Sequence, residues 1–396
     1  MPKPKHKSNP RDRYIAKTLF GLEEILAEEL RQLGAKNVTI LKRAVGFGGD
    51  EALMYKVNLH CRTALRILKV IYQFNANNEE ELYEGMYSIY WDKYILLEDT
   101  FAIDSVTSSE IFRHSKYAAL KTKDAIADQF RNRKNRRPSV DTRNPNVRIN
   151  VHIFGTRVTV ALDSSGTSLH MRNYREGHPP APLNEVLAAG MIMLAGWKGE
   201  SDFVDPMCGS GTLLAEAALI AQNIAPGALR RRFGFEGWKE FDSELWNKIK
   251  EEERAQRQPM TCKIFGYDKS HMAIRHSKDS LFDKEFSAIR LKKCAFEDLE
   301  SPFPDGGTMM FNPPYGERME MEDEFYADIG DTLKQKFSGY DVWIISSNKE
   351  ALKRVGLRAS NRHNLHNGAL ECKFLCFKMY KGSKRIKPTN DDVVES

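Results

Sequence analysis

Residues 202–212 read DFVDPMCGSGT and give the clearest indication of the fold class. It combines an apolar strand, a turn containing Gly209 and Gly211, and an Ala- and Leu-rich helix predicted over residues 213–223. A strand, a glycine turn and a helix in that order open the nucleotide-binding sheet of an α/β domain. The glycines would let the backbone approach a ligand closely, and Asp205 at the strand end could contact a cationic or amino group. The stretch is neither a Walker loop nor a complete G-x-G-x-x-G.

Two further acidic residues follow predicted strands. A strand over residues 263–267 ends at Asp268, where a carboxylate would accept hydrogen bonds from the hydroxyls of a ribose. Asp268 comes 57 residues after Gly211, whereas the standard unit needs about twenty, so we expect an insertion at residues 226–259. Asp298 follows the next predicted strand and could accept from an adenine amino group; a solvated loop acid is the alternative interpretation.

A second motif, Asn312-Pro313-Pro314-Tyr315, follows a strand predicted at residues 308–311. Proline fixes φ and disfavours helix at the residue before it, so we expect a stiff loop. The Asn312 side-chain oxygen and the Pro313 carbonyl could hold the two N–H groups of an exocyclic amine, and Tyr315 could stack on a base taken out of its helix. The motif favours methylation of an amino group on a flat ring. The alternative is a Pro-rich turn between a strand and a helix.

Six blocks occur in order: APLNE at 181–185, DPMCGSGT at 205–212, APG at 225–227, FGF with a following tryptophan at 233–238, NPPYGER at 312–318 and NGALEC at 367–372. With these blocks the chain resembles the THUMP-domain bacterial 23S rRNA guanine-N2 methyltransferases over about residues 11–382. The resemblance implies an α/β class I (Rossmann-like) methyltransferase domain preceded by an α+β ferredoxin-like plus THUMP RNA-binding module. It also implies S-adenosyl-L-methionine as cofactor, and 23S rRNA or a large-subunit precursor as partner.

The resemblance also assigns roles by position in these motifs. It places the methyl donor against Asp205, Pro206, Met207, Gly209, Gly211, Thr212, Asp268, Asp298 and Asn312. It makes Asn312, Pro313, Pro314 and Tyr315 the catalytic residues. In this interpretation the N2 amine of a flipped guanine lies between the donor and the Asn312 loop. No metal is expected, because the proton can leave the amine after transfer.

The same resemblance and the hydrophobic pattern predict the domain organisation. We expect a disordered basic tail at 1–10, a ferredoxin-like α+β domain at 11–75, a THUMP region at 45–163 with an overlapping boundary, a linker at 164–182, the methyltransferase domain at 183–382 and a C-terminal tail at 383–396. The N-terminal half is predicted to contain strands at 14–20, 38–47, 65–74, 101–106, 147–153 and 158–162, and helices at 22–33, 51–59, 79–87 and 115–131.

Charge is unevenly distributed along the chain. Residues 1–180 contain 29 Lys and Arg against 21 Asp and Glu, whereas the remainder contains 31 against 33. A positive excess in the non-catalytic half fits a module that binds a polyanion, although a solvated basic surface gives the same count. The candidate RNA contacts are Arg131, Arg133, Lys134, Arg136 and Arg137 at a helix end, Arg172, Tyr174 and Arg175 in the linker, and Arg230, Arg231 and Arg232 in the insertion.

The linker departs from the family pattern at two positions. Relatives in the family commonly have a Lys-Arg-Gly-Tyr-Arg run, whereas this chain has Met171-Arg172-Asn173-Tyr174-Arg175. The departure leaves a contact role in doubt at Met171 and Asn173 and keeps Arg172, Tyr174 and Arg175 as candidates.

The six cysteines show no paired spacings, which predicts reduced thiols and a cytoplasmic protein. Cys372 and Cys376 near His363 and His366 could form a metal site, but the segment reads as a strand rather than as zinc-binding turns, so none is predicted. The N-terminus has no apolar segment of a signal peptide, and no stretch is long enough for a membrane span.

Two other functions stay open at this stage. N-P-P-Y loops also serve methylation of adenine N6 and of protein glutamine, so another amino-methyltransferase is the nearest alternative. A non-catalytic RNA-binding assembly factor with a decayed site is the second alternative.

Overall fold

The computed structural model of the chain describes residues 13–175, 183–314 and 319–380. These residues form an eight-stranded sheet in the N-terminal half and a seven-stranded sheet in the C-terminal half. Within these three ranges, no helix has the length and apolar character needed to cross a bilayer.

The N-terminal sheet contains β1 (Arg13–Lys17), β2 (Lys36–Leu41), β3 (Ala44–Gly48), β4 (Arg66–Asn75), β5 (Thr100–Ser108), β6 (Ser139–Val140), β7 (Val147–Phe154) and β8 (Arg157–Asp163). Their order across the sheet is β2-β3-β1-β4-β8-β7-β5-β6. β4 pairs antiparallel with β8 along its length, so the predicted ferredoxin-like and THUMP regions share one continuous sheet.

Four helices accompany this sheet: α1 (Glu23–Gln32), α2 (Glu51–His60), α3 (Glu79–Tyr87) and α4 (Ser115–Lys134). Asp50 and Asn78 begin α2 and α3 by accepting hydrogen bonds from backbone amides of the first turn, as good N-caps do. The helix predicted at 115–131 extends to Lys134, and Asn135 ends it with a left-handed backbone.

One predicted strand is wrong. Residues 38–47 were expected to form a single strand, but β2 and β3 form an antiparallel hairpin that turns at Lys42 and Arg43. Arg43 has φ of +55°, a conformation that usually belongs to Gly, Asn or Asp. The turn therefore lacks the residue types by which such a turn is usually recognised in a sequence.

The C-terminal sheet contains β9 (Phe203–Asp205), β10 (Ile264–Asp268), β11 (Arg290–Lys293), β12 (Gly307–Phe311), β13 (Tyr340–Ser346), β14 (Asn361–Asn367) and β15 (Leu370–Lys378). The order is β11-β10-β9-β12-β13-β15-β14, parallel from β11 to β13 and antiparallel at β15 and β14. The helices of this half are α5 (Glu185–Leu194), α6 (Thr212–Ala221), α7 (Ser243–Ala255), α8 (His271–Ser280), α9 (Met319–Lys336) and α10 (Lys349–Arg354).

The predicted insertion lies between α6 and β10 and packs against the N-terminal half. It contributes Phe233, Phe235 and Trp246 to the N-terminal hydrophobic core. The ring of Phe235 stacks on Tyr55 of α2 at 4.4 Å, and Tyr55 accepts a hydrogen bond from the Asp242 amide at 3.0 Å. Because the insertion completes a core that belongs to the other half, the two halves are held together by buried contacts.

Candidate active site

The site lies at the point where the order of strands in the C-terminal sheet reverses. β9 is paired in parallel with β10 on one side and with β12 on the other. In such open sheets ligands bind outside the carboxyl ends of the strands at this switch point. Asp205 ends β9, Asp268 ends β10 and Asn312 follows β12, so the register brings all three to the same edge.

The glycine loop after β9 has the backbone that only glycine adopts easily. Gly209 and Gly211 have φ of +54° and +78°. The Gly209 amide donates to Asp268 Oδ2 at 3.1 Å, and its carbonyl accepts from Ser277 Oγ at 2.7 Å. A Cβ on Gly211 would lie 3.0 Å from a methyl group of Leu281, so Leu281 would have to shift slightly to admit a side chain. The loop is therefore held from both sides.

Asp205 is a buried acid in the wall of the site. Its side chain is 2% exposed, and one oxygen accepts from the Met207 amide at 3.0 Å. Burial raises the pKa of Asp205 well above its usual range, the Met207 hydrogen bond opposes the rise, and the nearby Asp268 charge adds to it. A cationic group entering the site would favour the ionised carboxylate.

The glycine loop and the Asn312 loop open onto one cleft of about 290 Å³. Its lining residues are Leu183, Asp205, Met207, Cys208, Gly209, Ser210, Thr212, Leu213, Ser270, Met272, Ala273, His276 and Asn312. Asn312 is half-buried, Pro313 is buried and Pro314 is exposed, whereas Tyr315 lies outside the described residues. A ligand that fills the cleft would therefore contact Asp205 and Asn312 together.

Four of the residues predicted to contact the methyl donor do not line this cleft. Pro206 is buried in the turn behind Asp205, and Gly211 begins α6. Asp268 accepts from the amides of Gly209 and Ser270, which leaves lone pairs of the carboxylate for further donors. Asp298 is exposed in the loop after β11 and is not among the residues that line the cleft, so its contact with an adenine stays a prediction.

Helix α8 supplies cleft residues that the sequence interpretation missed. Met272, Ala273 and His276 lie on one face of the helix, and Ser270 caps its start by accepting from the Ala273 amide at 3.3 Å. A serine that precedes a helix directly after a strand-ending acid is a recognisable N-cap. That signal could have placed the helix, although not the face that it turns to the cleft.

Two predicted RNA contacts in the linker are wrong because they are buried. The side chain of Arg172 is 1% exposed and donates to the carbonyls of Leu169 and Arg62, each at 2.5 Å. Its Nε lies 3.4 Å from Glu216 Oε1, the same oxygen that accepts from the Tyr174 hydroxyl at 3.1 Å. Tyr174 is 3% exposed. These side chains fix the linker to α6 and to the loop after α2, and no RNA can reach them in this conformation.

Arg175, the third linker candidate, is tied to the cleft wall. Its Nη2 donates to Thr212 Oγ1 at 2.7 Å and lies 3.2 Å from Glu185 Oε1. Thr212 lines the cleft, so Arg175 supports the start of α6 from behind.

The three insertion arginines differ in their environment. Arg230 donates to the carbonyls of Ser168 at 2.9 Å and Met171 at 2.7 Å, and its other nitrogen contacts Thr167. Arg231 and Arg232 are exposed. Arg230 therefore holds the loop that follows β8, and only its two neighbours present free surface charge.

The basic cluster at the end of α4 is exposed throughout. Arg131 pairs with Asp128 at 3.0 Å, Lys134 pairs with Asp92, and Arg133 lies over the Tyr90 ring at 4.9 Å. Arg136 and Arg137 extend beyond the helix. Part of this charge thus stabilises the helix end, and the whole cluster remains open to a polyanion.

Comparison with family models divides the chain into three matched regions. Residues 13–68 match the RlmL ferredoxin-like domain, residues 76–163 match the THUMP domain, and residues 172–375 match the RMKL-like methyltransferase domain. These matches confirm the predicted class of fold.

Individual relatives cover most of the chain. It is 40% identical over 382 residues to the ribosomal RNA large subunit methyltransferase K/L of Syntrophotalea carbinolica, covering 92% of this chain but 53% of that protein. It is 39% identical to slr0064 of Synechocystis sp., whose name describes it provisionally as an RNA methyltransferase, covering 93% of this chain and 97% of that protein. The chain thus spans about half the length of the K/L relatives and nearly all of slr0064.

Two solved structures share the whole architecture. SMU.472, provisionally described as a methyltransferase and crystallised with SAH, has 28% identity and a TM-score of 0.84, covering 94% of this chain and 99% of that one. A Listeria monocytogenes protein described as a predicted N6-adenine-specific DNA methylase has 26% identity and a TM-score of 0.82, covering 93% and 96%. The chain belongs to the family of RMKL-like methyltransferases that carry ferredoxin-like and THUMP domains ahead of the methyltransferase domain.

Proposed function

We propose that the protein transfers a methyl group from S-adenosyl-L-methionine to the exocyclic N2 amine of a guanine in large-subunit (23S) rRNA. The observation that carries this proposal is the single cleft lined by both Asp205 and Asn312. A methyl donor and an amine must meet within one site for transfer to occur. The names of the K/L relatives and the SAH recorded with SMU.472 support the choice of substrate and donor.

The donor would bind along the glycine loop. When bound, it supplies a methyl group on a positively charged sulfur. The buried Asp205 carboxylate would accept from the ammonium group of its amino-acid part, and Gly209 would let the backbone lie close to it. The carboxylate of Asp268, already aimed at this loop, has acceptor capacity left for ribose hydroxyls.

Asn312 would hold and aim the amine. An amine on a flat ring is a poor nucleophile because its lone pair is delocalised, so fixed acceptors on its N–H groups raise the rate through orientation. The Asn312 oxygen and the Pro313 carbonyl are our candidates for these acceptors. Nitrogen forms the new bond to the methyl carbon as the carbon–sulfur bond breaks, and the amine proton leaves to solvent afterwards.

The N-terminal half would deliver the RNA. Its match to the THUMP domain and the exposed basic cluster at the end of α4 support binding of a polyanion. The cytoplasmic location expected from the sequence stays a prediction.

Methyl transfer can be tested with the purified chain, isotopically labelled S-adenosylmethionine and unmodified 23S rRNA. Digestion to nucleosides and mass spectrometry should find the label in N2-methylguanosine. Label in another nucleoside would reject the guanine assignment, and absence of label from all RNA, with SAH binding intact, would reject RNA as the substrate.

One alternative has a specific observation in its favour. The Listeria structure that matches nearly the whole chain is described as a DNA methylase acting on adenine N6. The same acceptors could hold the N6 amine of adenine. Parallel reactions on DNA and RNA separate the two, because the alternative requires label in N6-methyladenine.

A further inference from the structure

A second cavity, of about 330 Å³, lies where three segments of the chain meet. The segments are the loop before β7, the loop after β8, and the start of the insertion. Five arginines line this arginine pocket: Arg143, Arg148, Arg230, Arg231 and Arg232. The pocket therefore draws its charge from both halves of the molecule.

Two of these arginines form the framework of the pocket. Arg148 pairs with Asp104 at 3.2 Å and donates to the carbonyls of Thr142 and Arg143, which fixes the loop before β7. Arg230 donates to carbonyls of the loop after β8 and lies over the Phe233 ring at 5.1 Å. Their terminal nitrogens thus bond to the protein itself, whereas the buried Nε of each has no hydrogen-bond partner among the described residues.

The charges of the other three arginines are accessible to a ligand. Arg143, Arg231 and Arg232 are exposed, and none forms a salt bridge with any residue that the structure describes. Nearby carboxylates are already engaged. Asp104 and Asp163 pair with Arg148 and Arg66, and Asp141 and Glu236 accept from backbone amides.

Burial, and after it the charges of nearby arginines, lower the pKa of Arg230, which lines the pocket, and of His170. Burial lowers the pKa of Arg230 to about 10, and the charges of Arg172 and Arg66 lower it further. Burial, followed by the charges of Arg172, Arg175 and Arg230, lowers the pKa of His170 to about 4. An anion bound in the pocket would favour the charged form of Arg230.

The linker connects the arginine pocket to the wall of the cleft. Asn173 lines the pocket, and Arg175 contacts Thr212, which lines the cleft. Asn173 turns the linker here with φ of +72°, a conformation that glycine and asparagine tolerate, which explains why asparagine can replace the glycine of the family pattern.

We propose that Arg143, Arg231 and Arg232 bind backbone phosphates of the RNA strand whose target base enters the cleft. This proposal rests on the proposed function. Guanidinium groups match phosphate oxygens in pairs, and such contacts fix the position of a strand without reading its sequence. Because the pocket draws on loops of both halves, one bound strand would engage the N-terminal sheet and the catalytic domain together.

The test uses the full chain with Arg231→Gln and Arg232→Gln combined, and then with Arg143→Gln added. The matched control combines Arg358→Gln and Arg362→Gln, two exposed arginines near β14 that lie outside the pocket. Binding of a labelled 20-nucleotide single-stranded RNA of mixed sequence is measured by anisotropy over a salt series. SAH binding and thermal unfolding are measured for every variant.

Each lost phosphate contact on single-stranded RNA makes the slope of log affinity against log salt about 0.7 shallower. The double variant should therefore lose about 1.4 of slope and bind RNA on the order of tenfold more weakly at 0.1 M salt. Adding Arg143→Gln should make the slope about 0.7 shallower again. SAH affinity and thermal unfolding should match those of the control.

An unchanged slope in the double and triple variants would overturn the proposal. Competition with inorganic phosphate distinguishes a second source of the same chemistry: if the variants lose phosphate binding but keep full RNA binding, the site holds a free anion and the RNA assignment falls. The readout is binding rather than turnover, so failure of the proposed methyl transfer would appear separately, as absent SAH binding or absent label in RNA.

Discussion

The cleft and the arginine pocket are connected through the linker but are built in opposite ways. The cleft sits on the ends of adjacent parallel strands, and its one strongly perturbed acid, Asp205, is almost fully buried. The arginine pocket is assembled from three loops, and the charges that we assign to binding are exposed. The difference follows from what each would hold, because a small donor gains from a dry, rigid wall whereas a phosphate backbone is held through long-range charge.

Residues 172–175 alternate between side chains that are buried and side chains that serve one of the two sites. Arg172 and Tyr174 point inward to Glu216, while Asn173 faces the pocket and Arg175 supports the cleft. We therefore expect substitutions of the buried residues Arg172 and Tyr174 to change stability. Substitutions of residues that line the cleft or the arginine pocket should change ligand binding.

The largest effect is expected at Arg172. Arg172→Met should lower the free energy of unfolding by about 3–5 kcal/mol, because it removes a buried guanidinium that pairs with Glu216 and donates to two carbonyls. Denaturant unfolding measures the loss. Tyr174→Phe, which removes one hydrogen bond, should cost about 1 kcal/mol and remain folded. If Tyr174→Phe instead left stability intact and weakened RNA binding, the linker would be an RNA contact after all.

Asn312 comes next. Asn312→Ala should reduce the turnover number by about 10²–10³-fold, as removal of a positioned polar group does in comparable sites. The affinities for SAH and RNA should change little, because the side chain acts on the amine during transfer. Single-turnover kinetics on rRNA measure the step, with Asn361→Ala on the exposed end of β14 as the control. Undiminished transfer would remove Asn312 from the mechanism.

Asp205 should show opposite effects on binding and stability. Asp205→Asn should weaken SAH binding by about 10–100-fold, the value of a hydrogen bond to a charged group. In the absence of ligand the same variant should be more stable than the parent at neutral pH, because ionising a buried carboxylate without a ligand cation is costly. Calorimetry and thermal unfolding measure the two effects. A variant that is less stable and binds normally would contradict the assignment.

The pH dependence of Asp205 has a definite sign. Its folded pKa is raised, so the folded protein keeps a proton that the unfolded chain releases near pH 4. The free energy of unfolding contributed by this group therefore falls as pH rises from about 4 through the raised pKa. Asp205→Asn should lack that fall, and SAH binding by the parent should strengthen over the same range. Parallel stability curves for the two proteins would refute the raised pKa.

The smallest effect separates backbone strain from ligand contact. Gly209 and Gly155 both have positive φ, and a Cβ on either would meet no atom within 4 Å. Replacing either with alanine should cost roughly 1 kcal/mol of stability through the left-handed backbone. Only Gly209→Ala should also weaken SAH binding, since Gly209 lines the cleft. Equal SAH affinity in both variants would mean that the loop does not approach the ligand.

Structural features that depend on residues close together in the sequence could be predicted. The strand, glycine turn and helix around Asp205 are present, and the strand before Asn312 has the expected end. Their placement at a common edge follows from parallel strands, so the cleft could be anticipated from two motifs about a hundred residues apart.

Features that depend on distant partners were not predictable. Arg172 looks like an RNA contact until Glu216, 44 residues away, is seen to pair with it in the interior. Arg143 was overlooked as a neighbour of Arg231 and Arg232 because only folding of the insertion onto the N-terminal half brings them together.

A crystal structure of the protein with bound SAH tests the central claim, one cleft for donor and amine, most directly. We expect SAH along the glycine loop, its amino group on Asp205 and its sulfur facing Asn312. SAH bound at another surface, or with its sulfur turned away from the Asn312 loop, would contradict it.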